Sequence, residues 1–227
     1  ADLVERAAKQ LLLGEVRVAL ESIESALEID AKKGPAWLLK ARLLAAGEGN
    51  TKAALKSIRR ASALGEYTVM LESEILENDG RTDAAIQVLE EHLEKTPSDP
   101  EVRGKLSLLW LRNGSNDTSC RVLDEAPDES WDSAPLHIMR GRLHLVDADE
   151  HRDNTGKHEH MLLVDALVAF DKAIEHDRES GLAWLGRARA LRYQGTYNEA
   201  EVALVRARRL IPEHPSIPLE EAQLSLD

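Results

Sequence analysis

Histidines crowd one short stretch of this 227-residue chain: His151, His158 and His160 fall within residues 147–160, and His137 and His144 lie just upstream. Imidazole among Asp and Glu side chains is the usual ligand stock of a transition-metal site, and it titrates near neutral pH. The stretch could therefore bind a metal ion or respond to protons. The spacing favours less, because His158 and His160 are two residues apart and such positions do not share a helix face. A solvated loop with freely titrating histidines is the plainer expectation, so no metal and no cofactor is assigned.

The other reactive side chains give no catalytic pattern. Cys120 is the lone cysteine, which excludes an intramolecular disulfide. Its place in a helical segment points to packing rather than nucleophilic work. The chain contains no Gly-rich phosphate loop, no paired-cysteine zinc spacing, no Gly-x-Ser-x-Gly elbow and no His-Glu-x-x-His. Its many carboxylates recur at i, i+3 and i+4, the pattern of a solvated helix surface. We expect no enzyme. The formal net charge of −12 argues against nucleic acid as a partner, since a phosphate backbone needs a basic surface. No run of about 18 apolar residues spans a membrane. The compartment stays open between cytoplasm and periplasm.

The elements that must position these side chains are helices. Ala and Leu abound, while aromatic residues make up only 4%, a composition that suits helices and starves a large sheet. The segment 181–212 carries Trp184-x2-Arg187-Ala188-x2-Leu191, then Gly195, Ala200, Leu204, Ala207 and Pro212. The spacing recurs. Phe170 and Ala173 precede Leu204 and Ala207 by 34 residues, and Gly80, Ala85 and Leu89 precede Gly114, Ser119 and Leu123 by the same 34. Ala19, Ile23 and Ala26 precede Ala54, Ile58 and Ala61 by 35.

This pattern and period resemble the tetratricopeptide repeat (TPR) family. The resemblance covers nearly the whole chain, with departures at Arg187, where Leu is usual, and at Leu191, where Tyr is usual. It implies an all-α fold, a right-handed α-solenoid of about six helix-turn-helix units in one domain. The units fall near residues 1–33, 34–65, 66–98, 99–130, 131–180 and 181–214, with a capping helix over 215–227. That last helix caps the apolar flank of the sixth unit or opens a truncated seventh. Small residues such as Ala54 and Ala200 let helices approach, and Trp37, Trp110, Trp184 and Phe170 fill the space between hairpins. Asp99-Pro100 predicts a helix start, and Thr196 with Glu199 predicts a capping box. The spacing from Ser119 to Ala166 is 47 residues. About thirteen residues are thus inserted around 147–160, as a polar loop or as longer helices.

In such repeats the first helix of each unit lines the concave face, where peptides or helices are held. By register, the resemblance places Arg42, Lys105, Arg112, Met139, Arg142, Arg189, Arg192 and Tyr193 there. Five basic residues on units four to six of an acidic chain suit a carboxylate-rich ligand, because the guanidinium fork matches a carboxylate. The expected function is a protein-interaction scaffold for a protein or peptide partner, of acidic character. It would sit within a larger assembly such as bacterial envelope biogenesis, secretion or exopolysaccharide export. Chaperone tails are not expected, because Val4 and Ala8 stand where a carboxylate clamp would be. Two alternatives remain: a regulatory module whose His-rich insertion binds a metal or proton, and a structural protein that self-assembles into homo-oligomers through its terminal repeats.

Overall fold

The computed structural model describes residues 3–226, and all the regular elements among them are helices. They pair as hairpins: α1 (Leu3–Leu12) with α2 (Val16–Ile29), α3 (Gly34–Glu48) with α4 (Thr51–Ala63), α7 (Pro100–Arg112) with α8 (Asn116–Asp124). The long α9 (Ala134–Thr155) pairs with α10 (His160–His176), and α11 (Gly181–Gln194) with α12 (Tyr197–Leu210). Between them come α5 (Val69–Asn78) and α6 (Thr82–Lys95), and α13 (Ser216–Leu224) closes the series. Contacts group the residues into two compact units, Ala1–Glu94 and Lys95–Asp227.

In the first unit, alanines set the helix spacing. Ala7, Ala19, Ala36 and Ala54 are fully buried, and Ile23 and Leu43 fill the gaps beside them. A methyl side chain at these crossings costs no rotamer entropy and permits close approach.

In the second unit the same small positions recur at Ala166 and Ala200, while α7 and α8 use serines. The Ser107 and Ser119 hydroxyls lie 2.8 Å apart, and Ser119 Oγ donates to the Ser107 carbonyl at 2.8 Å. Buried hydroxyls are tolerated there because each has a partner. Phe170 of α10, fully buried, wedges between α9 and α11. Its ring sits where a Cβ on Gly141 or Gly186 would be, 2.8 Å and 2.1 Å away respectively. The two glycines therefore make the slot for this ring, whose burial is worth roughly 1.5–3 kcal/mol.

Local signals act as the sequence predicts at several ends and differently at one. The Asp99 carboxylate accepts from the Val102 amide at 3.2 Å, with Pro100 at the first helical position. Gly195 ends α11 in the left-handed region at φ 82°. The capping box at Thr196 does not form. Its hydroxyl donates backwards to the Leu191 carbonyl at 3.0 Å, satisfying the end of α11, and Glu199 stays exposed. The inserted residues lengthen the fifth hairpin: α9 runs 22 residues and α10 runs 17, joined by a turn at Gly156 with φ 79°. Residues 147–155 are thus helix, not loop.

Candidate functional site

The first helices of successive hairpins in the second unit, α7, α9 and α11, pack side by side and present one face. Lys105 and Arg112 lie on α7, Arg142 on α9, and Arg189, Arg192 and Tyr193 on α11. Arg142 lies on the middle helix, α9, which packs against both α7 and α11. It is half-buried beside Arg112 and Arg189, and among the described residues it makes no ion pair or hydrogen bond. Burial first, then the Arg112 and Arg189 charges, pushes its guanidinium below its ordinary range. Arginine remains charged regardless, so burial beside two like charges is an unfavourable environment that a carboxylate would relieve. Arg142 opens onto a cavity of about 60 Å³ walled by Leu145, Leu182, Leu185 and Arg189. A carboxylate fits that space.

Next to it, a carboxylate is already held. Glu220 of α13 is 2% exposed, and both its oxygens are engaged: Arg189 Nε donates to one, and Arg192 Nε to the other at 3.2 Å. Arg192 Nη2 also donates to Gln223 Oε1 at 2.8 Å. The last helix is thus fastened to α11 by two guanidinium groups three residues apart, one helical turn.

Tyr193 anchors the inserted turn. His158 stacks on its ring at 4.3 Å and 16°, the Arg192 guanidinium lies 4.7 Å from the ring centre, and its hydroxyl donates to Asp149 at 3.1 Å. Burial, with Asp149 adding to it, raises the phenol above its ordinary range. Met139 is 4% exposed and packs with Leu123, Leu136 and Leu143. It shares the Leu136–Leu143 stripe facing α8, whereas Arg142 shares the Ile138–Leu145 stripe. Its side chain belongs to the core, not to the presented face. Arg42 belongs to the first unit, where it lines a cleft of about 580 Å³ with Leu71, Glu74 and Asn78.

The histidines serve the turn. His151 Nδ1 lies 2.9 Å from the Lys157 carbonyl, His158 Nδ1 lies 3.3 Å from the Ala148 carbonyl, and His160 opens α10 exposed. Among the described residues, no three His, Cys, Asp or Glu side chains converge on a point that could hold a metal ion. Cys120 packs beside Leu123 and Met139, and burial raises its thiol above the ordinary range, the reverse of an activated thiolate. Among the described residues no helix is long and apolar enough to cross a membrane.

Two features escape a reading of the sequence. Glu220 lies between the apolar positions Leu219 and Ala222, so it reads as an exposed residue of an amphipathic cap. The signal available was the Arg189–Arg192 pair. The other is His137, which occupies the tryptophan position of its repeat. It precedes Trp184 by 47 residues, the period lengthened by the insertion.

Residues 165–215 match the tetratricopeptide repeat family. No curated protein matches the sequence. Among solved structures, yeast Tom70 superposes with a TM-score of 0.73 at 15% identity, over 92% of this chain and 42% of Tom70. Human IFIT1, in a dimer with m7Gppp-AAAA, gives 0.61 at 21% identity, over 89% of this chain and 47% of IFIT1. PilF of Pseudomonas aeruginosa gives 0.59 at 18% identity, over 97% and 96% of the two chains. The chain thus spans less than half the length of Tom70 and IFIT1. The fold is an all-α solenoid of helical hairpins similar to those of these proteins, with the tetratricopeptide-repeat match over residues 165–215. Repeats of this kind generally mediate protein–protein interaction, and their scaffold is typically non-catalytic.

Proposed function

We propose that this protein is an interaction scaffold whose second unit captures an acidic segment of a protein partner along α7, α9 and α11. The observation that carries the reading is Arg142, a half-buried guanidinium with two arginines beside it and no acidic partner among the described residues. An uncompensated charge in a partly dry site is costly to keep, and such a cost is ordinarily retained for a ligand. Glu220 supports the same reading from within the chain, because the neighbouring arginines already grip a carboxylate. Arg42, Lys105, Arg112, Met139 and Tyr193 complete the residues predicted from the repeat register. Of these, Lys105 and Arg112 extend the positive field along α7, Tyr193 sets the far edge, and Met139 supports α9 from the core.

The test is a titration with a labelled extended peptide of about ten residues, alternating Glu with small residues. Wild type is expected to bind it with an affinity that falls as salt rises. Arg142→Glu, checked for unchanged helicity, is expected to abolish binding. Equal binding by wild type and variant would remove the site from this face. Membership in an envelope, secretion or export assembly is tested by identifying which protein competes with that peptide.

A further inference from the structure

A second surface of the same unit, where α10 and α12 meet Trp184, shares no lining residue with the Arg142 cavity. Val202, Val205, Arg206 and Arg209 follow one another at i, i+3, i+4 and i+7 along α12, so they form a single stripe. With Ile174, Arg178 and Trp184 they line an open, shallow groove of about 550 Å³. Val202 is 69% exposed and Val205 39%. Valine is a poor choice for an exposed helix position, since it gives up side-chain entropy in the helix and gains no burial. Two such residues beside a half-buried tryptophan and Ile174 make a continuous apolar strip rather than scattered surface residues. Three cations rim it. Arg178, Arg206 and Arg209 are exposed, and among the described residues none of them forms an ion pair.

We infer that this groove docks an amphipathic helix of a partner protein, with an apolar ridge for Val202, Val205 and Trp184 and acidic flanks for the three arginines. The charges select this occupant. A basic rim on a chain of net charge −12 draws an acidic segment locally, while two whole copies of the chain repel one another. An apolar helix ridge set into a groove is a recurrent mode of recognition, and it uses the i, i+3, i+4, i+7 spacing that α12 presents. The surface is separate from the Arg142 face, so a partner could be held at two points and gain avidity.

The experiment is fluorescence anisotropy with a labelled peptide of about 18 residues, carrying Leu at i, i+3, i+4 and i+7 and Glu on both flanks. Saturable binding to wild type is expected, weakened about tenfold or more by the exposed pair Val202→Glu and Val205→Glu. Arg206→Glu with Arg209→Glu should weaken it as well and should favour a peptide with Lys in place of Glu. With Arg142→Glu in place, which disables the α7–α9–α11 face, saturable binding and its loss on substituting the two valines should both persist, which separates the groove from that face. The proposal is overturned by absence of saturable binding or by equal affinity for a scrambled peptide of the same composition. Binding that survives the valine substitutions would overturn it too. A concentration-dependent mass in light scattering, abolished by Val202→Glu, would assign the groove to a second copy of the chain instead.

Discussion

His137 and Trp184 make the same hydrogen bond in successive repeats: the imidazole Nε2 lies 2.9 Å from the Trp131 carbonyl, and the indole Nε1 lies 3.0 Å from the Arg178 carbonyl, each six residues upstream. Trp37 repeats the bond to Ala31 at 2.9 Å. The carbonyl can only accept, so Nε2 of His137 carries the proton, as the indole nitrogen does. The position calls for a flat ring with one donor, and histidine meets that need in its neutral form or as the cation. Burial above all lowers its affinity for a second proton; the Trp131 carbonyl opposes this in second place, the charges of His176 and Lys172 reinforce it more weakly, and Asp132 opposes it least. His176 stacks on it at 5.3 Å and 10°.

A group whose folded pKa is depressed binds fewer protons in the native state than in the unfolded state, so stability falls as pH falls. For His137 the loss begins as pH drops through the ordinary imidazole value near 6.5 and is complete below the depressed native value. The melting temperature should therefore decrease between pH 7 and pH 5.5, by at most about 1.4 kcal/mol of stability per pH unit for each proton involved. His144, also lowered mainly by burial, contributes in the same direction. Replacing His137 with Gln keeps an N–H donor and removes the titration, so the slope of melting temperature against pH should become shallower. An unchanged slope would assign the effect to His144.

The helices and their order were legible in the chain because repeat spacing, small-residue positions and turn glycines all report on local geometry. Asp99 and Gly195 illustrate this, each acting through neighbours within a few residues. The site was legible only in part. That Arg112, Arg142 and Arg189 lie within electrostatic reach follows from the period, once α7, α9 and α11 stand side by side. That Met139 turns inward required the helix phase through a hairpin whose length the insertion had altered. That Glu220 closes on Arg189 and Arg192 depends on how α13 folds back over α11, a long-range choice that no local pattern records. The His-rich stretch reads as loop chemistry because its composition is polar. Residues 147–155 are helical all the same, and the turn that follows stacks His158 on Tyr193, 35 residues further along the chain.

The Glu220 contact makes a direct prediction about the last helix. Removing one member of a buried pair leaves its partners' charges uncompensated, typically at about 3–5 kcal/mol. Arg189 is 34% exposed and recovers water when released, so Glu220→Ala should cost less, about 2–3 kcal/mol. The loss should be local. Amide exchange over residues 216–224 should accelerate strongly while α9 and α10 keep their protection. Uniform acceleration through the second unit would mean that α13 is part of its cooperative core.

The slot for Phe170 predicts the outcome of a substitution that helix propensity alone would favour. Alanine is better than glycine inside a helix by about 1 kcal/mol. At Gly186, however, the new Cβ would stand 2.1 Å from the Phe170 ring, which already presses on Gly141 from the other side and cannot retreat. Overpacking of this kind costs about 1–3 kcal/mol, so Gly186→Ala should lower the melting temperature. Phe170→Leu should lower it as well. Combining the two should cost less than their sum, because the smaller side chain vacates the space the new methyl needs. Strict additivity in that cycle would show that the ring and the glycine do not share the slot.

Arg142 links stability to binding in opposite senses. As a half-buried cation beside Arg112 and Arg189, it carries desolvation and repulsion that no acidic group among the described residues offsets. Arg142→Met keeps much of its length and apolar stem while removing the charge. The variant should therefore be more stable than wild type, by about 1 kcal/mol, as when buried charges are exchanged for apolar groups of similar volume. The same change should sharply weaken capture of the Glu-rich peptide, whereas Arg142→Lys should keep the charge, lose the two-pronged contact and bind with intermediate affinity. Thermal melts and peptide titrations on the three proteins decide the matter together. A higher melting temperature with weaker binding identifies a residue kept for its ligand at the expense of the fold. A lower melting temperature for Arg142→Met would identify Arg142 as a structural prop and withdraw the carboxylate site from this face.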